Sequence, residues 1–291
     1  MRMLLIGFAL AAAAAAQQGL EKGTLPEHWP TGGPNCMEMQ EYYIHAYNPT
    51  LYILRQSGCT DYEKPFVYLI FGNDKAMLWD TGSRNSRIRE TVDRLIARWL
   101  VENKRASIPL VVVHSHKHGD HIAGDSQFAD RPDTTLVKPD LASVKAFFGF
   151  QNWPDEIRTF DLGGRPMDVF GIPGHTDDSI ALYDRRTGIL LTGDTVYPGR
   201  LYVTDFETFK TSIHRLAAFT ADKPIAHVLG NHIEQTTTPF VDYVVRTKYQ
   251  PDEHELALSA GSILELDRAL QSMKEPKTVL LRDMTISVRG R

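Results

Sequence analysis

Residues 109–121 read PLVVVHSHKHGDH, and this stretch decides the fold. Its first half, PLVVVH (109–114), is a short unbroken apolar run, as expected of a strand buried on both faces. Its second half puts His116, His118, Asp120 and His121 within six residues. A loop at the end of a buried strand can turn such side chains toward one point, and imidazoles beside a carboxylate suit zinc. Gly119 is expected to supply the tight backbone that sends His118 and Asp120 to different faces of one site. Buried without a cation, such a cluster would carry a heavy desolvation cost. His114 precedes the pattern and is read as structural.

The same arrangement recurs along the chain. GHT (174–176), GDT (193–195) and GNH (230–232) each put an acidic or histidine side chain at a strand end, and LWDTG (78–82) puts Asp80 after an apolar run. His227 competes weakly with His232 for a ligand role. The region from about 41 to 80 reads as strands, with FVYLIF (66–71) and KAMLWD (75–80) flanking the turn residues Gly72-Asn73-Asp74. From Ser86 the period changes: Ile88, Val92, Leu95, Ile96 and Trp99 recur at helical spacing over about four turns. Short strands follow at TLVK (135–138), MDVFGI (167–172), SIALYD (179–184) and GILLTGD (188–194). A helix over 206–219, the strand PIAHVLG (224–230), a helix over about 253–273 and a strand over 277–288 complete the pattern. Strands and helices interleave with no linker between them, which implies one α/β or α+β domain over 17–291 with a short C-terminal helix and strand added.

Composition sets the outer bounds. The chain has 291 residues, 42% hydrophobic and 23% charged, so it can bury a core of normal size. A net charge of −4 argues against a general nucleic-acid binder. Residues 1–16, MRMLLIGFALAAAAAA, have the order of a signal peptide: one Arg, an apolar run, then small residues before Gln17. That run is too short to span a bilayer comfortably, so a periplasmic or secreted protein with no membrane span after signal removal is expected. Cys36 and Cys59 are the only cysteines. Export permits a disulfide between them, with two buried thiols as the alternative.

The H-x-H-x-D-H signature, followed in order by His175, Asp194 and His232 and preceded by Asp80, resembles the metallo-β-lactamase superfamily. The resemblance covers roughly residues 42–235 and implies a four-layer αββα sandwich. It implies two zinc ions per chain, with iron or manganese as alternatives. His116, His118 and His175 would hold the first metal, and Asp120, His121 and His232 the second, with Asp194 bridging. Asp80 would orient ligands rather than bind metal.

The implied chemistry is hydrolysis: a hydroxide shared by two metals attacks an ester, lactone, thioester or amide carbonyl of a small-molecule substrate. Asp120 would orient the nucleophile and shuttle a proton. Asp194 at the bridging position leans toward the glyoxalase II-like and lactonase-like members and away from true β-lactamases, which usually carry Cys or Ser there. Tyr197 matches a lactonase tyrosine that hydrogen-bonds the substrate carbonyl, and Arg200 is a candidate anchor for a substrate carboxylate. The alternatives are a β-lactamase and a mononuclear-iron sulfur dioxygenase. A nuclease would need a basic surface and an inserted domain, and a flavodiiron protein normally has Glu where His118 stands. The aromatic segment AFFGFQNWP (146–154) could line a cleft or belong to the core. Oligomeric state is not legible.

Overall fold

The computed structural model describes residues 19–34 and 40–288. Residues 1–16, where a signal peptide is expected, and Cys36 lie outside the described residues. Strands β1 (Tyr42–Asn48), β2 (Leu51–Gln56), β3 (Phe66–Phe71) and β4 (Ala76–Trp79) form an antiparallel meander. Helix α1 (Ile88–Glu102) returns the chain so that β5 (Leu110–Val113) pairs parallel with β4. After the short helix α2 (Gly119–Ile122), β6 (Thr134–Leu136) extends this sheet beyond β5.

Helix α3 (Leu141–Phe148) leads into a second sheet. It contains β7 (Ile157–Asp161), β8 (Pro166–Gly171), β9 (Ile180–Asp184) and β10 (Ile189–Leu191). The chain then forms β11 (Arg200–Val203) and α4 (Phe206–Ala221) before β12 (His227–Leu229) pairs parallel with β10 and β13 (Ala257–Leu258) closes the edge. Helix α5 (Ala260–Ser272) follows, then β14 (Val279–Leu280) and β15 (Thr285–Val288), which join β11 in a third, small sheet.

Side-chain alternation explains the layering. On β3, Phe66, Tyr68 and Ile70 meet Val169, Leu182 and Leu191 of the second sheet in one core. Val67, Leu69 and Phe71 point the other way, onto Ile88, Val92, Leu95 and Trp99 of α1. On the far side of the second sheet, Ala181, Tyr183 and Leu190 pack on Phe209, Ile213 and Leu216 of α4 and Ile263 and Leu266 of α5. The result is α, β, β, α. Both faces of each sheet are covered, which is why these strands read as continuous apolar runs.

Two expected elements differ. The helix expected over 253–273 starts only at Ala260, because the Ser259 side chain accepts from Ser262 N and caps it, and β13 precedes the cap. The single strand expected over 277–288 is a short hairpin, closed where Leu281 N donates to Met284 O at 2.8 Å. In the aromatic segment, Phe148 and Phe150 are buried in the core between the sheets, with Phe147 and Trp153 packed against it. Those rings are core.

One charged side chain pins the two sheets together. Arg165, in the turn before β8, is fully buried. It donates to Asp184 Oδ2 from Nη2 at 2.5 Å and from Nε at 3.2 Å. Its Nη1 also donates to the carbonyls of Thr50, in the β1–β2 turn, and Phe71, at the end of β3, both at 2.9 Å. This cluster lies at the starts of β4 and β8, the end of the sandwich opposite the metal-ligand candidates.

Candidate metal centre

The ligand candidates follow the C-terminal ends of strands that run the same way within their sheets. His116, His118, Asp120 and His121 follow β5, His175 follows β8, Asp194 follows β10 and His232 follows β12. The chain brings all seven to one place. Potential ligand atoms of His116, His118 and His175 lie within 4.8 Å of one another, and so do those of Asp120, His121, Asp194 and His232.

Distances define the two groups and their contact. His118 Nδ1 is 3.0 Å from Nε2 of both His116 and His175. Asp120 Oδ2 is 3.3 Å from His121 Nε2 and 3.2 Å from His232 Nε2. Asp194 reaches both groups: Oδ2 is 3.4 Å from His121, 3.7 Å from His175 and 3.8 Å from His116, while Oδ1 is 3.4 Å from His232.

The far nitrogens of the rings are tied down. His175 Nδ1 pairs with the Tyr202 carbonyl at 2.7 Å, His232 Nδ1 with the Glu63 carbonyl at 2.9 Å, and His121 Nδ1 with Asp80 Oδ2 at 3.0 Å. His116 Nδ1 is 3.0 Å from Ser115 Oγ, which itself donates to Asp80 Oδ2 at 2.8 Å. A proton held on each of these Nδ1 atoms leaves the Nε2 lone pair aimed inward, the tautomer a cation needs. Asp80 organises this shell. Its carboxylate also accepts from Ser115 N at 2.6 Å and Asn231 Nδ2 at 2.5 Å, and its φ of 68° lies in the left-handed region, strained for a residue other than glycine.

Electrostatics separate the groups. Burial lowers the pKa of His116, His118 and His175, so these rings are neutral donors. Burial also opposes charge on His121 and His232, yet the carboxylates beside them win. Asp120 and Asp194 hold His121 well above its ordinary value and raise His232 to about 9. For Asp120 and Asp194 burial works against the charged form, but His121 and His232 outweigh it and keep both carboxyls well below the usual range. A divalent cation can replace the protons on His121 and His232. Asp194 Oδ1, buried without a hydrogen-bond partner, has a vacant lone pair for it. The nitrogen and oxygen donors therefore fit zinc or a similar ion.

Other expectations resolve as follows. Gly119 carries no left-handed backbone, and a Cβ built on it meets nothing within 4 Å, so its freedom is not what shapes the loop. His118 in extended conformation ahead of α2 does that, placing Asp120 and His121 on the first helical turn. His114 is buried with Nε2 at 2.8 Å from Asp125, consistent with a structural part. His227 packs edge-on against Tyr47, away from both groups. Arg200 is no free anchor: it is spent on Glu234 at 3.0 Å, Asp242 at 3.4 Å and the Tyr243 carbonyl at 2.8 Å.

Tyr197 is buried with its ring 5.7 Å from that of His232. Its hydroxyl donates to the Arg200 carbonyl and lies 3.0 Å from Glu234 Oε2. Its one proton is thus committed within the protein rather than offered to a substrate carbonyl. Tyr197→Phe is accordingly expected to lower the unfolding free energy by about 1 kcal/mol and to change kcat little. Unchanged stability in urea unfolding with a kcat loss of about tenfold would reverse this reading.

Sequence reasoning missed Ser115, Asn231, Glu63 and Tyr202. Ser115 and Asn231 sit inside the motifs HSH and GNH, which was the available signal. Glu63 and Tyr202 contribute backbone carbonyls and carry no signature. Cys59 is disulfide-bonded, and Cys36 is the chain's only other cysteine.

A four-layer sandwich with two ligand groups at its strand ends defines a class, the αββα metal-binding hydrolase fold. The chain belongs to the metallo-beta-lactamase superfamily, whose family model matches residues 62–226, more than half of it. That match ends before His232. Among similar proteins, a hydroxyacylglutathione hydrolase of Pseudomonas fluorescens is 28% identical over 190 residues, covering 64% of this chain and 69% of the relative. One from Chromohalobacter salexigens is 34% identical over 126 residues, covering 42% and 48%. The human acyl-coenzyme A thioesterase MBLAC2 is 24% identical over 200 residues, covering 57% and 70%. The chain thus spans between about half and about two thirds of the length of these relatives. Two solved structures share the fold. The metallo-beta-lactamase from Pontibacter korlensis has a TM-score of 0.53 at 15% identity, covering 80% of this chain and 100% of that one. The metallo-beta-lactamase from Erythrobacter litoralis has a TM-score of 0.52 at 15% identity, covering 81% and 99%.

Proposed function

We propose that this chain is a zinc-dependent hydrolase that cleaves the carbonyl bond of a small ester, lactone, thioester or amide. The observation that carries the reading is the orientation of the rings, with Nδ1 of His116, His121, His175 and His232 tied down, Nε2 turned inward, and Asp194 within reach of both groups. His116, His118 and His175 would hold one zinc ion and Asp120, His121, Asp194 and His232 a second, and such ions would supply Lewis acidity and an acidic water. The remaining work falls to the chain's own residues. His118 is exposed and Asp120 half-buried, whereas the other five candidates are buried, so a substrate approaches from the side of this pair. Asp120 is therefore the group positioned to take a proton from the attacking water and hand it to the leaving group. Asp80, through Ser115 and His121, keeps the rings turned. The names of the relatives, hydroxyacylglutathione hydrolase and acyl-coenzyme A thioesterase, favour an acyl–sulfur bond.

The signal-like segment 1–16 and the disulfide at Cys59 support a periplasmic or secreted location, with residues 17–291 as one domain. Among the described residues no helix is long and apolar enough to cross a membrane.

Metal analysis of the mature protein, with thioester, lactone, β-lactam and phosphodiester substrates assayed in parallel, tests the reading. The expected result is about two zinc per chain and hydrolysis of a thioester or lactone. One iron per chain with oxygen consumption, or turnover of β-lactams alone, overturns it.

A further inference from the structure

Of the five imidazoles at the centre, four have an outward nitrogen tied to a neighbour, and His118 is the exception. Its Nδ1 faces His116 and His175 at 3.0 Å, while its Nε2 makes no hydrogen bond among the described residues. It is also the exposed ring of the five. What places it must therefore act through the loop after β5, and the residue beside it in that loop is Lys117.

Lys117 is tied to the other loop that supplies this group. Its Nζ donates to Asp177 Oδ1 and lies 3.8 Å from Asp178 Oδ1. Both aspartates stand just after His175, in the connection between β8 and β9. One side chain thus links the loop of His116 and His118 to the loop of His175, the three rings of the first metal group. The backbones meet there as well, where Ile180 N donates to the Ser115 carbonyl at 2.9 Å.

The two acidic partners differ in weight. Lys117 is 46% and Asp177 64% exposed, and a pair so wet holds little by itself. Asp178 is 1% exposed, and neither of its oxygens makes a hydrogen bond of ordinary geometry. A carboxylate sealed from water without such bonds is costly unless a cation faces it. Lys117 is that cation, so Asp178 holds the ammonium and with it the backbone on either side. Charge alone argues against a lysine here, since a positive group between two ligands repels the ion they bind. Its place is explained by the tie it makes.

We propose that Lys117, held by Asp177 and the buried Asp178, is the positioning residue that sets His118 against His116 and His175 in the first metal group. This inference rests on the metal-binding part of the hydrolase reading and is measured by zinc affinity, without turnover.

The test is a zinc titration of the mature protein against a chromogenic chelator, with Asp120→Asn marking the step that belongs to the second group. In Lys117→Met the dissociation constant of the first-group ion is expected to rise at least about tenfold, the lower end of the range for groups that orient metal ligands. The second-group step stays unchanged. Lys117→Arg restores the charge and the donors, so it should recover most of the lost affinity. Lys117→Met/Asp178→Asn removes the stranded carboxylate together with the ammonium, which keeps the test open where the single variant folds poorly. Its first-group affinity is expected to stay low, because the tie is still missing. Affinity in Lys117→Met equal to or above the parent's would leave only the repulsion of a nearby charge and overturn the inference. Parent affinity in the double variant would also overturn it, since the loss would then come from the stranded carboxylate. An equal loss at both groups, or no recovery in Lys117→Arg, would do the same. A parent that binds zinc yet cleaves nothing removes the hydrolase reading and leaves this inference standing. A parent that binds no zinc removes both.

Discussion

Asp120→Asn is expected to lower kcat by about 10²–10⁴-fold at saturating zinc, the range set by loss of a general acid–base group. The amide keeps the volume of the carboxylate and one oxygen facing His121 and His232, 3.3 and 3.2 Å away in the parent. What it loses is the negative charge. In the proposed mechanism that charge accepts the proton of the attacking water, and with Asp194 it holds His121 and His232 in their charged forms in the absence of a cation. The group of His116, His118 and His175 does not include Asp120, so zinc bound there is expected to remain. Rate and zinc content are measured on the same preparation, so that a lost ion is not mistaken for lost chemistry. Equal activity in the variant and the parent would mean that this cluster is not the hydrolytic centre.

Arg165→Met is expected to cost about 3–5 kcal/mol of unfolding free energy, the penalty for breaking a buried ion pair by removing one partner. Asp184 would keep Arg186 N at 3.0 Å and Thr187 Oγ1 at 2.6 Å, but would lose the guanidinium that balances its charge. The carbonyls of Thr50 and Phe71 would lose a donor at the same time, in a place sealed between sheets. Arg165→Lys restores the charge without the fork, so its loss should fall between those of the parent and the Met variant. Urea unfolding reads all three. A cost below about 1 kcal/mol for Arg165→Met would mean that the sheets are joined by apolar packing alone.

Much of the site was legible because its residues carry their chemistry in their side chains and stand at the ends of apolar runs. His116, His118, Asp120 and His121 could be read together from one loop, and Asp80, His175, Asp194 and His232 from four short motifs in order. The supporting shell was less legible. The carbonyls of Glu63 and Tyr202 fix two rings, yet any residue type could provide them, and Glu63 is 169 positions from the histidine it holds. The partners of Tyr197, the Arg200 carbonyl and Glu234, could be identified only in three dimensions. In the fold, long runs such as FVYLIF matched their strands, while β7, whose residues IRTFD alternate between exposed and half-buried, gave too weak a pattern to detect.

The ligands come from loops of both sheets, and the chain between His116 and His232 contains most of the second sheet. The order of assembly follows from that topology. In a small zinc finger the ion can gather nearby ligands and nucleate the fold. Here no pair of sites exists until strands distant in sequence have docked, and such long-range closures come at a high entropic cost. Capture of ions at both groups therefore waits on docking of the two sheets, and occupancy of the centre would report that this docking has taken place.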